Sequence, residues 1–189
     1  MSSKFWTTEK IFSLSAMMVS LLTLVVFIYQ TNLIRQQQYM SVFPYLNLSN
    51  KYSGSLQYQY VLQNNGIGPA LIDSVKITAP NGKIYNDLVN YLDDVIPSED
   101  SIWYLHSNIR KGRLIPVDEA IPLIQLVSPE VLVNLGVKDT TGLPKNTISD
   151  AEELWHILND DSLEIQIVYT SIYDEKWSLS NRDGVPERQ

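Results

Sequence analysis

The sequence of 189 residues has no cysteine and only two histidines. Without cysteine there are no disulfides, cysteine nucleophiles or thiolate metal sites, so packing alone must hold the fold. His106 and His156 do not stand in a metal-binding spacing such as HExxH, and no GxSxG nucleophile motif occurs. We therefore assign no metal site, no catalytic residue and no cofactor, and we expect His156 at the surface.

Basic residues are scarce outside the N-terminal region. The formal net charge is −7. Residues 1–43 hold three basic residues and one acidic residue, a net +2, which leaves −9 for residues 44–189. Because an acidic surface repels phosphate backbones, the sequence argues against nucleic-acid binding.

Charges are missing altogether from a run of nineteen residues, 11–29, built mainly from Ile, Leu, Val, Met and Phe. At about 1.5 Å per helical residue, this run approaches the thickness of about 30 Å of a bilayer's hydrocarbon core. Aromatic rings that suit the headgroup zone flank it, namely Phe5, Trp6, Tyr29 and Tyr39. A cleaved signal peptide needs a shorter apolar run and a small-x-small site, which the chain after Tyr29 does not offer. We predict an uncleaved single-pass transmembrane helix, a signal anchor, with the lipid bilayer as partner.

The charges beside this run predict its orientation. Lys4 and Lys10 precede the run, whereas Arg35 follows it. Since Lys and Arg concentrate on the cytoplasmic side, the count favours a cytoplasmic N-terminus and an extracytoplasmic domain.

Small side chains form a stripe along the same helix at Ser13, Ala16, Ser20 and Thr23. Such a stripe lets two helices approach closely in lipid, which allows self-association or a protein partner in the membrane. The alternative is that the hydroxyls bond only to carbonyls of their own helix.

The chain divides where its composition changes. Residues 1–10 form an N-terminal tail, and the Gln-rich residues 30–43 continue the helix as a stalk until Pro44, because proline disfavours helical geometry in the residue before it. Residues 44–179 form a β-rich soluble domain, and the polar residues 180–189 form a flexible tail.

Within the domain, apolar residues alternate with a period of two, which predicts half-buried strands. Residues 163–170 show the pattern best, and further strands are expected at 46–48, 58–62, 71–79 and 121–127. Asn81-Gly82 predicts a hairpin with a type I′ turn.

Two short helices interrupt the strands. One covers residues 86–95 with Asn86 as its cap, and a capping box from Ser149 to Glu152 opens another that ends near Asn159. The sequence therefore predicts a mainly β protein, with one N-terminal transmembrane α-helix plus a β-sandwich-like domain with two short helices.

The run NNGIGPA at 64–70 lies between two predicted strands. Gly66 and Gly68 permit backbone angles closed to other residues, and Pro69 suits the start of a strand, where no ladder donor is needed. No helix follows and no Lys or Ser/Thr occupies the Walker positions, so a phosphate loop is not favoured. We predict a structural hairpin at Asn64, Gly66, Gly68 and Pro69.

The same motif carries a family resemblance. A transmembrane helix, a Gln-rich stalk, the entry Pro44-Tyr45-Leu46, the NxGxGPA run and a closing Tyr169, Tyr173 and Trp177 are present. This pattern resembles uncharacterised bacterial single-pass membrane proteins with an NxGxGPA hairpin in a β-sandwich-like domain. The resemblance implies a compact β module and no activity. Many such proteins place more Lys and Arg after the span, which implies a cytoplasmic domain, against the charge count above.

Tyr169, Tyr173 and Trp177 recur every fourth residue. If the strand continues to Tyr173, they share a face. Such a face is either part of the core, which we favour, or an aromatic binding surface.

Acidic residues cluster around Pro97, at Asp93, Asp94, Glu99 and Asp100. Their spacing does not match an EF-hand calcium loop. We expect solvation at a helix end and ion pairs with Arg110, Lys111 and Arg113.

These observations favour a noncatalytic, membrane-anchored interaction or accessory module. An alternative is an envelope hydrolase that uses Asp93, Asp94 and Asp100, which requires a cleft and raised carboxyl pKa values. Another is a membrane-tethered ligand-sensing domain, which requires a pocket.

Overall fold

The computed structural model describes residues 7–97, 102–138 and 145–189. The chain forms two compact units, Met1–Ser41 and Val42–Gln189.

The first unit is helix α1 (Thr8–Met40), a continuous helix of 33 residues without Gly or Pro. Its most apolar stretch is fully exposed, and by length and composition the helix is able to cross a membrane. It runs through most of the predicted stalk but ends at Met40, short of residue 43. Ser41 caps it with a backbone N–H donated to the Gln37 carbonyl (3.0 Å).

Two hydroxyls of the small-residue stripe bond within α1. Ser13 Oγ donates to the Glu9 carbonyl (2.9 Å) and Thr23 Oγ1 to the Val19 carbonyl (2.8 Å). These two residues therefore adopt the intrahelical alternative.

The second unit contains two antiparallel sheets. Sheet A holds, in spatial order, β1 (Leu46–Lys51), β2 (Gln59–Asn64), β7 (Ala120–Leu126) and β5 (Tyr104–His106). Sheet B holds, in spatial order, β10 (Glu187–Arg188), β9 (Lys176–Ser180), β8 (Glu164–Thr170), β3 (Ala70–Thr78) and β4 (Ile84–Tyr85). A further short strand, β6 (Leu114–Ile115), also pairs with β3.

The short helices are α2 (Leu88–Val95), α3 (Pro129–Asn134) and α4 (Ile148–Leu158). The prediction of a mainly β protein with one long N-terminal apolar helix is confirmed. Helix α3 was not predicted from the sequence. Its six residues are too few to display a helical period, although Ser128 caps it through a side chain that accepts from Val131 N–H.

Both sheets and the helices α2 and α4 share one hydrophobic core. The alternation that predicted β8 is present in the structure, where Ile165, Ile167 and Tyr169 are at most 1% exposed. Leu62 from sheet A and Leu154 from α4 are fully buried in the same cluster. Each such aliphatic side chain stabilises the fold by about 1.5–3 kcal/mol relative to exposure.

Both predicted helix starts need correction. Helix α2 is capped by Asp87, whose side chain accepts from Val89 N–H (3.1 Å), and not by Asn86. Adjacent Asn and Asp are equally good caps, so their identity alone could not choose between them.

Helix α4 begins earlier than predicted. Its capping box joins Thr147 and Asp150, not Ser149 and Glu152. The sequence offers both pairs at the required spacing, and Ile148 can then lie in the first turn.

The hairpin from β3 to β4 is present, but its turn is not type I′. The ladder closes at Ala79 N–H donating to the Lys83 carbonyl (2.9 Å), across a loop of residues 80–82. Gly82 has a positive φ of 81°, whereas a type I′ turn needs positive φ at two residues.

Residues 180–189, predicted as a flexible tail, form part of sheet B. Strand β10 pairs with β9, with Arg188 opposite Trp177. The Arg188 guanidinium also lies 2.8 Å from the Glu175 carboxylate. Backbone pairing and an ion pair hold this segment, and neither needs apolar side chains. Its polar composition, on which the prediction relied, is therefore compatible with strand pairing.

Candidate functional site

The NxGxGPA loop does not form a hairpin. It follows β2, in sheet A, and leads into β3, in sheet B, so it carries the chain from one sheet to the other. The predicted hairpin at Asn64, Gly66, Gly68 and Pro69 is therefore wrong. Strand periodicity identifies both strands but does not say which neighbours they pair with. Pro69 does directly precede the first residue of β3.

This loop forms backbone hydrogen bonds with the segment through which the chain enters the domain. Asn65 N–H donates to the Tyr45 carbonyl (2.7 Å), while Ile67 N–H (3.0 Å) and Gly68 N–H (3.3 Å) donate to the Phe43 carbonyl. We call residues 42–45 together with loop 64–69 the entry clasp. Its backbone bonds join residues 20 to 25 positions apart in the chain.

Asn64 is the centre of the entry clasp and is fully buried. Its Oδ1 accepts from the N–H groups of Tyr45 (3.2 Å) and Gly66 (3.0 Å). Its Nδ2 donates to three carbonyls, those of Gly68 (2.9 Å), Ile115 (3.2 Å) and Pro116 (3.1 Å). One side chain therefore connects the entry segment, its own loop and the turn after β6, and its hydrogen-bonding capacity is filled.

The two glycines of the entry clasp are needed for space. A Cβ on Gly66 would lie 2.3 Å from Tyr45 N and 2.4 Å from the Phe43 carbonyl oxygen. A Cβ on Gly68 would lie 1.9 Å from the Val42 carbonyl oxygen. Neither glycine has a positive φ, so the expectation that they supply special backbone angles is wrong. Close approach of two backbones is the reason for glycine here.

Tyr169 supports the entry clasp from sheet B. This fully buried residue of β8 donates its hydroxyl to the Pro44 carbonyl (3.4 Å), and the hydroxyl accepts from Leu46 N–H (3.5 Å). Burial raises the pKa of the Tyr169 hydroxyl, so it stays protonated and able to donate. Tyr169 therefore lies in the core, as we favoured.

Trp177 contacts the entry clasp through its ring. It lies in β9 directly opposite Tyr169, and it meets the Phe43 ring edge to face with centroids 4.6 Å apart. Within the described part of the chain, its Nε1 is buried without a hydrogen-bond partner. The indole therefore contributes through packing and ring geometry.

Tyr173 does not share the face of the other two aromatics. Strand β8 ends at Thr170, and Tyr173 lies in the turn that joins β8 to β9, with 42% of its surface exposed. The recurrence every fourth residue spans a hairpin, because Tyr169 and Trp177 are cross-strand partners. The condition that the strand reaches Tyr173 is not met.

The acidic residues at the end of α2 have structural partners, an ion pair for Asp94 and a hydrogen bond for Asp93. Asp94 pairs with Lys83 and accepts a hydrogen bond from the Tyr85 hydroxyl (2.8 Å), while Asp93 accepts from the Tyr104 hydroxyl (3.1 Å). The hydrogen bond from Lys83 lowers the pKa of the Asp94 carboxyl, opposite to the raised pKa that a hydrolase acid requires.

The cationic partner of Asp94 is Lys83, which is not one of the predicted partners Arg110, Lys111 and Arg113. Lys111 pairs with Asp73 (2.9 Å), not with the end of α2. Glu99 and Asp100 lie outside the described residues.

Both histidines are exposed, His106 on β5 and His156 on α4. The His156 ring lies edge-on to the neighbouring Trp155 ring, with centroids 4.9 Å apart. His156 is therefore a surface residue, as predicted. Among the described residues, no three His, Asp or Glu side chains come together in a way that could hold a metal ion.

Comparisons with family models, with curated proteins and with solved structures find no match for this chain.

Sequence reasoning missed one half of the entry clasp. The motif pointed to Asn64 and the glycines, but the backbone that they approach, at Val42 and Phe43, belongs to what was predicted as the end of the stalk. Pro44 was the available signal in the sequence. Because proline disfavours helix in the residue before it, it indicates that the chain around Phe43 is extended and able to pair with another segment.

Proposed function

We propose that this protein is a membrane-tethered, noncatalytic interaction or accessory module. The observation that carries the proposal is the entry clasp. The first residues of a domain normally fray unless something ties them down. Here the fully buried Asn64, the two glycines without room for a Cβ and the buried Tyr169 all hold the entry segment. Such reinforcement suits a point of attachment that bears the load of a tether.

Helix α1 is the anchor in this proposal. Its length and apolar composition support a single pass through a bilayer. An anchored domain searches a surface and not a volume, so its effective concentration toward partners on that surface rises without any new contact. A binding module with modest affinity gains most from this arrangement.

We place the domain on the extracytoplasmic side, with the N-terminus in the cytoplasm. Lys4 and Lys10 against Arg35 support this orientation. The test uses a bacterial host and the absence of native cysteine. Ser53→Cys, in the exposed turn after β1, should react with an impermeant maleimide in intact spheroplasts. Ser3→Cys, on the other side of the apolar run, should react only after lysis. The reverse pattern would place the domain in the cytoplasm.

The partners that we propose are the bilayer and a protein held in it, either a second copy or another chain. The small-residue stripe supports close approach of a second helix. Ser20→Leu should weaken self-association in a membrane two-hybrid assay. Ser15→Leu is the matched control, since it adds the same side chain on another face of α1. Equal signals from both variants would contradict association through the stripe.

The module itself is tested by chemical cross-linking and affinity capture of the full chain from gently solubilised membranes. We expect a specific cross-linked species, either a dimer or a complex with a second protein. Capture of the chain alone, with no cross-linked species, would contradict the proposal.

A further inference from the structure

A polar cavity of about 330 Å³ opens beside β1 and β2 of sheet A, away from the entry clasp. On β1 and β2 the clasp lies near the pair Leu46 and Asn64, whereas the cavity lies at the pair Asn50 and Tyr60. The turn from α4 to β8 forms the opposite wall, together with the residues that follow β9. The volume is at the lower end of the range of small-molecule sites, about 300–1,000 Å³.

Tyr60 provides an unused hydroxyl at this cavity. Its side chain is only 3% exposed, yet among the described residues its hydroxyl has no hydrogen-bond partner. A buried hydroxyl without a partner normally costs stability. Among the described residues, Trp177 Nε1 is the one polar side-chain atom that is both fully buried and without a partner. The Tyr60 hydroxyl also lacks a partner, so it is not fully buried and keeps some accessible surface. Tyr60 is one of the residues that line the cavity, so a ligand bound there would meet this hydroxyl.

The wall beside Tyr60 is fixed by a pair of amides. Asn50 Nδ2 donates to Asn159 Oδ1 (2.7 Å), and Asn159 Nδ2 donates back to Asn50 Oδ1 (3.2 Å). The Tyr58 hydroxyl also donates to Asn50 Oδ1 (2.7 Å), and Asn159 Nδ2 donates to the Trp155 carbonyl (2.7 Å). These bonds hold both amides in place and leave the second N–H of Asn50 for a ligand.

Charges of both signs stand at the rim. Asp160 and Asp161 supply carboxylates, and Arg182 supplies a guanidinium. Asp160 Oδ1 accepts from Ser162 N–H (2.6 Å) and Arg182 donates to the Ser162 carbonyl (3.3 Å), so one residue positions both groups. An anion would meet two carboxylates and a cation would meet the guanidinium, which disfavours a strongly charged ligand.

We infer that this cavity binds a small, neutral, polyhydroxylated ligand, a monosaccharide in its size and chemistry. Adjacent hydroxyl groups each donate and accept, as the lining requires. They donate to Asp160 and Asp161 and accept from Tyr60, Asn50 and Arg182. Three leucines, Leu48, Leu158 and Leu163, cover the apolar part of the lining, which suits the C–H face of a sugar ring.

The test is saturation-transfer difference NMR on the full chain in lipid nanodiscs, with empty nanodiscs as the blank. The probes are glucose, galactose and N-acetylglucosamine, and serine and glutamate represent zwitterions that could pair with Arg182 and Asp161. At least one sugar should give a saturation-transfer signal, and this signal should fall when an excess of a second sugar is added as competitor. The amino acids should not.

Three variants locate the binding. Tyr60→Phe removes a hydroxyl that bonds nothing in the described residues, so the unfolding midpoint should not fall, while affinity should drop about three- to tenfold. Asp161→Asn should also weaken binding. Asp183→Asn removes the same charge nearby but outside the lining, and it should bind like the unmodified protein. Three results would overturn the assignment. They are no saturation-transfer signal from any sugar, a signal from the amino acids alone, or equal sugar affinity in Tyr60→Phe and the unmodified protein.

Discussion

Asn64 Oδ1 accepts a hydrogen bond from the backbone N–H of Tyr45, nineteen positions earlier in the chain, at 3.2 Å. This bond joins the segment that leaves α1 to the loop that links the two sheets. The distinctive motif of the sequence is thus explained by what it holds, the entry of the chain into the domain.

Replacement of Asn64 should destabilise the domain strongly. Asn64→Ala leaves the N–H groups of Tyr45 and Gly66 and three carbonyls without their partner in a buried site. The free energy of unfolding should fall by about 2–4 kcal/mol. Chemical denaturation in nanodiscs, followed by tryptophan fluorescence, measures it. The exposed neighbour serves as control, and Asn65→Ala should cost less than about 0.5 kcal/mol. Equal losses would contradict the role given to Asn64.

A single methyl group at Gly68 should open the entry clasp. In Gly68→Ala the new Cβ meets the Val42 carbonyl oxygen, so the two backbones must separate. Hydrogen exchange at the Ile67 and Gly68 amides, both bonded to Phe43, should speed up at least tenfold. Gly54→Ala is the comparison, because it adds the same methyl group where no atom lies within 4 Å. Its φ of 73° makes alanine costly in that turn, but the cost lies outside the entry clasp and should leave the amides of residues 67 and 68 protected. Unchanged protection in Gly68→Ala would show that the close approach does not matter.

Substitutions of Trp177 test whether this residue of β9 packs in the domain or binds a partner. Trp177→Phe keeps a ring against Phe43 and removes the buried Nε1 that has no partner in the described residues, so stability should hold or rise. Trp177→Ala should cost about 2–3 kcal/mol through loss of the ring, less than the roughly 3–5 kcal/mol of a fully buried ring because Trp177 is only half-buried. A stable Trp177→Ala protein that no longer captures its partner would instead identify a binding surface.

The ion pairs of Asp73 and Asp94 predict a dependence of stability on pH. Hydrogen bonds from Lys111 and from Lys83 lower the pKa values of these carboxyls in the folded protein. A lowered folded pKa contributes stability that is present above the unfolded value, near 3.9, and is lost as the pH falls through the folded value. The double variant Asp73→Asn, Asp94→Asn should therefore lose less stability on acidification below about pH 4.

The denaturation midpoint as a function of pH checks this expectation. Both carboxyls are exposed enough to be screened by solvent, so the difference should be small and should shrink in high salt. Asp183→Asn, which removes a charge outside both pairs, is the control. A steeper acid dependence in the double variant would contradict the assigned sign.

The sequence predicted those parts of the fold that rest on local periodicity. The uncharged run at 11–29 lies within α1, and the alternation at 163–170 matches β8 to within one residue. Both were predictable because helices and half-buried strands leave periods of 3.6 and 2 in the chain. The choice of the neighbouring strand with which a strand pairs leaves no such period in the sequence. The link from β2 to β3 was therefore misread as a hairpin, although both strands were recognised.

The sites depend on contacts between distant segments and were harder to predict. Tyr169 reaches Pro44 across 125 positions, and Asn50 reaches Asn159 across 109. No spacing rule connects such pairs. The motif could mark Asn64 as unusual, but only the fold places Phe43 and Tyr169 beside it.

The proposed tethered module depends most directly on α1 as an uncleaved anchor. Membranes from cells that make the full chain should be washed with alkaline carbonate, and the protein that remains should be weighed by intact mass spectrometry. We expect it in the pellet, with residues 11–29 still attached. Release into the supernatant, or a mature chain that begins after Gln30, would contradict the tethered module.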